Sequence, residues 1–200
     1  VLRLVGSEMC IRDRINSPCN PTGAVFTPEE IQGILDIATD NDLWIVSDEI
    51  YSRMIWVDWP HVSPASLPGG IERTIVVNGW SKSWAMTGMR LGFLTGPPNA
   101  VKAAIKSQAN SASHVPTFMM EAARVALGCD EAVEEFNAEY EKRREIMKKG
   151  LSDLPGIRVV EPEGAFYIFA DITGTGMSDT EFADGACLLY TSPSPRDVVP

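Results

Sequence analysis

The sequence predicts an α/β fold with a mostly parallel β-sheet, and two observations support this. Short apolar runs of strand length, at 43–46, 74–77 and 91–94, alternate with longer stretches in which apolar residues recur at helical spacing. A continuous apolar run between two helices is typical of a strand that is buried in a parallel sheet. Polar residues follow the runs, at the edge where open α/β sheets bind their ligands.

The composition of the 200 residues is that of a globular chain of one domain or two small ones, with 44% apolar and 22% charged residues. The net charge of -10, from 17 basic and 27 acidic residues, disfavours nucleic acid and anionic membranes as partners. No apolar run approaches the roughly 20 residues of a membrane span, and the N-terminus lacks a signal-peptide layout. The cysteines are not closely paired, which disfavours a zinc site or a disulfide framework and fits a reducing cytoplasm. They are Cys10, Cys19, Cys129 and Cys187.

The two ends of the chain do not continue the patterns beside them. Residues 1–14 and 187–200 resemble conceptual translations of sequencing-adapter read-through, which recur at the edges of metagenomic fragments. We therefore expect both ends to be artefactual tails and the native segment to be 15–186, so the tails are left out of the fold prediction. The alternative is that both ends are disordered native tails.

The native segment opens with a turn and a helix. An Asn20-Pro21 step followed by Gly23 marks a tight turn, and taken alone it indicates no more than that. Thr27, a proline and Glu30 form a capping box that predicts the start of an amphipathic helix. Its apolar residues are Ile31, Ile34, Leu35 and Ala38.

A chemically distinct residue follows each of three predicted strands. Asn20, Asp48 and Lys82 each follow an apolar, strand-like run. A lone acid after a strand is commonly a helix cap, but the ends of parallel strands all lie on one edge of a sheet. We therefore expect an amide, a carboxylate and an amine in one crevice. A desolvated lysine is more easily deprotonated and can attack an aldehyde.

The second half predicts three helices, a strand pair and a last helix. The helices are expected at 98–110, 117–127 and 130–151, and the strands at 157–160 and 165–170. The helix 130–151 is acidic at its start and basic at its end, as the helix dipole favours. A second capping box begins at Ser178.

The stretch 79–92, GWSKSWAMTGMRLG, resembles the lysine motif of the fold type I aminotransferases that depend on pyridoxal phosphate (PLP). In this family, class I/II, a serine-lysine pair precedes a glycine-any-arginine-any-glycine run, which matches 88–92 here. The segments 20–23, 47–51 and 164–167 resemble three further motifs of the family. Trp80 departs from the smaller apolar residue usual there, and Gly79 replaces a serine that often contacts the cofactor phosphate.

The resemblance implies roles for four residues. Lys82 forms a Schiff base with PLP and then serves as the general base. Asp48 keeps the pyridine nitrogen protonated, since a carboxylate favours the charged ring. Tyr51 donates to the phenolic oxygen of PLP. Asn20 bonds the same oxygen and helps to hold the substrate carboxylate.

The resemblance also implies a site for the cofactor phosphate and none for a metal. Arg90 matches the arginine that binds this dianion, although its alternative is a surface salt bridge, and Ser81 matches a residue that often adds a phosphate contact. His61 and His114 lack the cysteine or acid cluster of a metal site and are expected to be ordinary polar residues. Glu49 is expected to be structural.

The fold implied is a three-layer α/β/α PLP-binding large domain, of which 15–150 is a part, with 151–186 as the start of a smaller α/β domain. The implied activity is transfer of an amino group between an amino acid and a 2-oxo acid in amino acid metabolism, by a cytoplasmic homodimer. Alternatives are a carbon–sulfur lyase, a ring-closing synthase or the PLP-binding sensor domain of a transcription regulator. We expect the chain itself to be inactive and to bind PLP weakly or not at all. It lacks the family's N-terminal phosphate loop, the aromatic residue stacked on the ring and the C-terminal arginine.

Overall fold

The computed structural model describes residues 12–191, with side chains from 14 to 187. Its main feature is a four-stranded sheet with the order β1-β2-β3-β4, in which the first three strands are parallel and the last is antiparallel. The strands are β1 (Arg12–Asn16), β2 (Trp44–Asp48), β3 (Thr74–Gly79) and β4 (Gly92–Thr95). The α/β class with a mostly parallel sheet is confirmed.

The register of the parallel strands aligns their carboxyl ends. Asn16 of β1 lies opposite Asp48 of β2, and Asp48 lies opposite Val77 of β3. The segments that follow all three strands therefore leave the sheet at the same edge, as expected for a parallel sheet.

The first helix, α1 (Pro28–Asp40), has the capping box that the sequence predicts. The Thr27 hydroxyl accepts from the Glu30 N–H at 3.2 Å, and the Glu30 carboxylate accepts from the Thr27 N–H at 2.8 Å. The inner face of α1 packs on β1 and β2 in a buried apolar cluster. The cluster consists of Ile15, Ile31, Leu35, Ala38 and Ile45.

Three further helices follow the sheet: α2 (Pro98–Ser111), α3 (Thr117–Ala126) and α4 (Asp130–Ser152). The segment after β2 holds α4 by two contacts. The Arg53 guanidinium pairs with Asp130 at 2.6 Å, and the Arg53 carbonyl accepts from the Asn137 amide at 2.7 Å. No described helix is both long and apolar enough to cross a membrane.

The predicted strand pair near the C-terminus is much shorter than expected. It consists of β5 (Arg158–Val159) and β6 (Ala170–Asp171), so the prediction of a strand over 165–170 is wrong for most of its length. Ala165 has a positive φ of 58°, and its N–H donates to the Met54 carbonyl at 2.9 Å. This bond attaches the start of the expected strand 165–170 to the segment after β2. Pairing with the β5 region is therefore limited to Val160, Ala170 and their neighbours.

The last helix, α5 (Asp179–Thr191), begins at the predicted capping box, in which Ser178 and Glu181 exchange hydrogen bonds. It extends five residues beyond 186, and β1 begins three residues before 15. The remainder of the predicted tails, 1–11 and 192–200, lies outside the described residues. The division of the chain at 14/15, 150/151 and 186/187 stays a prediction.

Candidate active site

The amine of Lys82 lies against aromatic rings at the carboxyl end of β3. The chain turns immediately after β3, where the Ala85 N–H donates to the Lys82 carbonyl at 3.1 Å. The half-buried Lys82 Nζ lies 5.2 Å from the centroid of the Phe166 ring and 5.8 Å from that of the Tyr51 ring. Ring faces attract a cation and also exclude water, so they form the apolar wall of the crevice.

Tyr51 is the buried centre of this crevice, with only 3% of its surface exposed. Its hydroxyl lies 2.6 Å from the hydroxyl of Tyr167. Burial is the largest cause that raises the pKa of Tyr51, and the bond to Tyr167 and the negative charge of Asp48 raise it further. A hydrogen bond from the Asn20 side chain acts in the opposite direction on the same pKa. Asn20, Asp48 and Lys82 therefore all lie within interaction distance of Tyr51.

Asp48 ends β2 and is held from β1. Its backbone carbonyl accepts from the Asn16 amide at 3.0 Å, and the Asn16 side-chain oxygen accepts from the Asn20 N–H at 2.8 Å. Asn16 therefore ties two of the three strand ends together. The Asp48 carboxylate itself forms an ion pair with the Arg14 guanidinium, at 2.6 Å.

A distant segment closes the crevice. Gly164 lies where there is no room for a side chain. A Cβ at this position would lie 2.7 Å from Val25 Cγ2 and 2.8 Å from both the Met54 carbonyl oxygen and Pro18 Cβ. The indole N–H of Trp56 donates to the Ala165 carbonyl at 2.7 Å. These contacts hold the following rings, Phe166 and Tyr167, over the amine of Lys82 and the hydroxyl of Tyr51.

The structure does not bring Arg90 to the other predicted residues. Arg90 is exposed, has a left-handed backbone with φ 53°, and donates to the Thr87 carbonyl at 3.0 Å. Ser81 is half-buried, and its side chain makes no hydrogen bond within the described part of the chain. The phosphate roles of both residues stay predictions.

Glu49 and His61 form a buried pair beside the crevice. The His61 Nε2 lies 3.2 Å from the Glu49 carboxylate, which also accepts from the Ser47 hydroxyl at 2.9 Å. Burial alone would raise the pKa of Glu49, but the bonds from His61, Ser63 and Ser47 together bring it below its ordinary value. No group of three potential metal ligands occurs among residues 14–187.

The sequence predictions of site residues omitted four neighbours: Arg14, Asn16, Phe166 and Tyr167. The segment 164–167 resembles a family motif, but the resemblance does not say which side chains Phe166 and Tyr167 meet. Asn16 gave no distinctive signal, because most of β1 is polar and Ile15 is its only apolar residue. Arg14 gave none, because it falls in the predicted tail.

The geometry and the motifs agree with a family assignment. The sequence model of the family described as "Aminotransferase class I and II" matches residues 14–191, so the chain belongs to this family. The resemblance that the motifs indicate is confirmed.

Several curated and solved relatives of this chain are named aminotransferases. The chain is 45% identical over 173 residues to an aspartate aminotransferase of Pyrococcus abyssi, covering 85% of this chain and 44% of that protein. It has the same identity and coverage with aromatic-amino-acid aminotransferase 2 of Thermococcus litoralis. The crystal structure of the aromatic aminotransferase from Pyrococcus horikoshii superposes with a TM-score of 0.84 at 42% identity, covering 91% of this chain and 48% of that one. The chain spans less than half the length of these relatives.

Proposed function

We propose that this chain supplies the lysine-bearing part of a PLP-dependent aminotransferase, which moves an amino group between an amino acid and a 2-oxo acid. The observation that supports it is the grouping of an amine, a carboxylate, a phenol and an amide at one edge of a parallel sheet. Lys82, Asp48 and Asn20 all lie within interaction distance of Tyr51. Four such groups around a crevice suit a cofactor with several distinct polar atoms.

The donor set fits PLP atom by atom. The amine of Lys82 suits the aldehyde, and the carboxylate of Asp48 suits the pyridine nitrogen. The phenol of Tyr51 and the amide of Asn20 suit the phenolic oxygen. When bound, PLP supplies an electron sink for the α carbon of an amino acid. The phosphate has the weakest support, because Arg90 and Ser81 are not joined to the other four residues.

The protein groups have separable tasks in the proposed reaction. Lys82 moves a proton to and from the substrate's α carbon, and the rings beside its amine exclude water. Asn20 also helps to hold the substrate carboxylate. When PLP binds, the Asp48 carboxylate must leave its ion pair with Arg14 and pair with the pyridine nitrogen instead. This is feasible because the Arg14 side chain is 68% exposed, and exposed ion pairs are weak.

The names of the relatives favour transamination over the alternatives. They include aspartate and aromatic aminotransferases and an arginine–pyruvate transaminase of Pseudomonas aeruginosa, which is 39% identical over 172 residues. The named substrates differ, so the proposal covers the reaction class and not the amino donor. A cytoplasmic homodimer belongs to the same proposal. The resemblance supports the dimer, and the wide spacing of the cysteines along the sequence fits a reducing cytoplasm.

A chimera tests the proposal in a full-length context. Residues 15–186 replace the matching segment of the Pyrococcus abyssi aspartate aminotransferase, and amino transfer from several amino acids to 2-oxoglutarate is measured. We expect activity that depends on PLP and that Lys82→Ala abolishes. A folded chimera that is inactive with every donor, or one in which Lys82→Ala retains activity, would contradict the proposal.

The 200-residue chain alone provides a second measurement. Borohydride reduction in the presence of PLP, followed by peptide mass mapping, reports which lysines react. Because the chain covers 44% of its relative, we expect weak labelling of Lys82. Lys102 and Lys106 are exposed and serve as internal controls. Labelling that favours these two over Lys82 would count against the assigned lysine.

A further inference from the structure

Tyr167 forms a short hydrogen bond that neither the motifs nor the proposed roles assign. Its hydroxyl oxygen lies 2.6 Å from that of Tyr51, at the short end of the range for O–H···O bonds. Tyr51 and Tyr167 are 116 positions apart in the chain. The bond therefore depends on the tertiary contact between the 164–167 segment and the segment after β2.

The ring of Tyr167 is held in a defined orientation. It meets the Tyr51 ring edge-to-face, with centroids 5.6 Å apart and an interplanar angle of 79°. Its neighbour Phe166 meets the same ring at 5.4 Å and 89°. The backbone before both rings is fixed by the bonds of Ala165 to Met54 and Trp56. Tyr167 thus presents its hydroxyl from a rigid support.

Each of the two hydroxyls has one proton, which limits the hydrogen bonds that Tyr51 and Tyr167 can donate. A tyrosine hydroxyl donates one hydrogen bond and can accept others. In the unliganded chain either hydroxyl can donate to the other. If Tyr51 donates its only proton to a bound phenolic oxygen, the 2.6 Å bond persists only if Tyr167 becomes the donor. A hydroxyl that accepts such a bond is itself a stronger donor, because hydrogen bonds in a chain polarise one another.

We propose that Tyr167 is a positioning residue, whose hydroxyl fixes that of Tyr51 and strengthens its donation to the phenolic oxygen of PLP. This inference rests on the proposed function, because it assigns a partner to Tyr51 in that role.

Tyr140 provides a matched control. Its ring lies on the other side of the same cluster and stacks on Phe166, with centroids 5.5 Å apart and an angle of 27°. Within the described part of the chain its hydroxyl has no hydrogen-bond partner. Tyr140→Phe and Tyr167→Phe therefore each remove one hydroxyl from the aromatic cluster and leave its rings in place. Only Tyr167→Phe removes a bond to Tyr51.

The first experiment uses the unliganded 200-residue chain with tyrosine labelled with carbon-13 at Cζ, and Tyr51→Phe assigns the resonance of Tyr51. We expect Tyr167→Phe to move this resonance and Tyr140→Phe to leave it in place. Circular dichroism checks that all variants stay folded. A Tyr51 resonance that is the same in Tyr167→Phe and in the unmodified chain overturns the inference.

The second experiment titrates the same chains with PLP and follows its absorbance. Loss of one hydrogen bond is expected to raise the PLP dissociation constant about five- to tenfold in Tyr167→Phe, with no change in Tyr140→Phe. The pH at which the absorbance of bound PLP changes should rise in Tyr167→Phe, because the phenolic oxygen is less stabilised. Equal affinities and equal pH profiles in both variants overturn the inference. If the unmodified chain binds too little PLP to titrate, the same substitutions are titrated in the chimera, and a folded unmodified chimera that binds no PLP contradicts the proposed function. The Tyr51 resonance still decides the role of Tyr167.

Discussion

Asp48 and Glu49 are neighbouring carboxylates with different partners. Asp48 pairs with a mostly exposed arginine at the sheet edge, whereas Glu49 is buried against His61 and Ser47. Successive side chains of an extended backbone point to opposite faces, which separates the two environments. The half-buried carboxylate of Asp48, which stays exchangeable, is the one proposed to meet a cofactor, and the buried carboxylate of Glu49 supports the edge of the sheet.

The Glu49 pair predicts a dependence of folding stability on pH. Its pKa in the folded chain is lower than the ordinary value of 4.5, so the unfolded chain binds a proton more readily. The stabilisation is therefore complete above pH 4.5 and is lost as the pH falls through the lower folded pKa. Glu49→Gln should destabilise the chain by about 1.5–3 kcal/mol at neutral pH, and this difference should shrink with acidification.

Urea denaturation of both chains between about pH 7 and pH 3 measures this difference. Glu121→Gln is the control, because Glu121 also pairs with a basic residue, Arg124, but lies on the exposed surface of α3. Its stability should change little at any pH. A Glu49→Gln deficit that stays constant or grows on acidification would show that the pair does not act as described.

At the scale of elements, the position of β1 beside β2 places Arg14 next to the carboxylate of Asp48, the last residue of β2. Arg14 lies opposite Val46 in the register, two residues before Asp48, and a long side chain spans that distance along the edge. The Arg14 guanidinium therefore forms an ion pair with the same carboxylate that we assign to the pyridine nitrogen of PLP. Arg14 and a bound PLP ring therefore compete for Asp48.

Arg14→Leu should consequently strengthen PLP binding. Exposed ion pairs contribute about 0.2–1 kcal/mol, so the PLP dissociation constant should fall by about two- to fivefold. Arg158→Leu is the matched control, since Arg158 pairs with Asp171 at 2.8 Å with similar exposure, away from the crevice. Absorbance titration compares the three chains. Weaker binding in Arg14→Leu, or an equal gain in Arg158→Leu, would rule out competition at Asp48.

The N-terminus of α1 offers a further prediction at this scale. Thr27→Ala removes the hydroxyl that accepts from the Glu30 N–H and should cost about 1 kcal/mol of unfolding free energy. Thr27→Ser keeps the oxygen and should cost only a few tenths of that. Urea unfolding monitored by circular dichroism distinguishes the two. Equal losses in both variants would mean that the methyl group, and not the cap, stabilises this helix end.

The elements that the sequence predicted well depend on local signals. The capping boxes at Thr27 and Ser178 act within four residues, and the strands β2 and β3 coincide with short apolar runs. The mostly charged strand β1 carries no such signal. The bond between Tyr51 and Tyr167 joins residues 116 positions apart, and that between Arg14 and Asp48 joins residues 34 apart. Such contacts depend on how elements pack, which a single sequence does not specify. For the same reason the strand expected over 165–170 was wrong, since a tertiary bond at Ala165 overrides its β-branched and aromatic pattern.

At the scale of the whole molecule, β4 and α3 expose a broad apolar surface. The two elements meet at Trp80, whose indole donates to the Ala123 carbonyl at 3.1 Å and whose ring lies 5.5 Å from that of Phe93. Several large apolar side chains around this junction are more than a third exposed. They are Phe93, Leu94, Phe118, Met120, Val125 and Leu127. Large exposed apolar side chains on neighbouring elements promote association.

We therefore expect the chain to self-associate through this surface, in a manner that depends on salt. The net charge of -10 makes copies repel one another, and salt screens the repulsion, so association should increase between about 0.05 and 0.5 M salt. Phe118 is 71% exposed, and Phe118→Glu should weaken association at every salt concentration without lowering stability. Ile71→Glu is the control, because Ile71 is 65% exposed but lies outside β4 and α3. Sedimentation velocity measures both variants. If Ile71→Glu weakens association as much as Phe118→Glu, added negative charge alone explains the effect and the apolar surface has no special part in it.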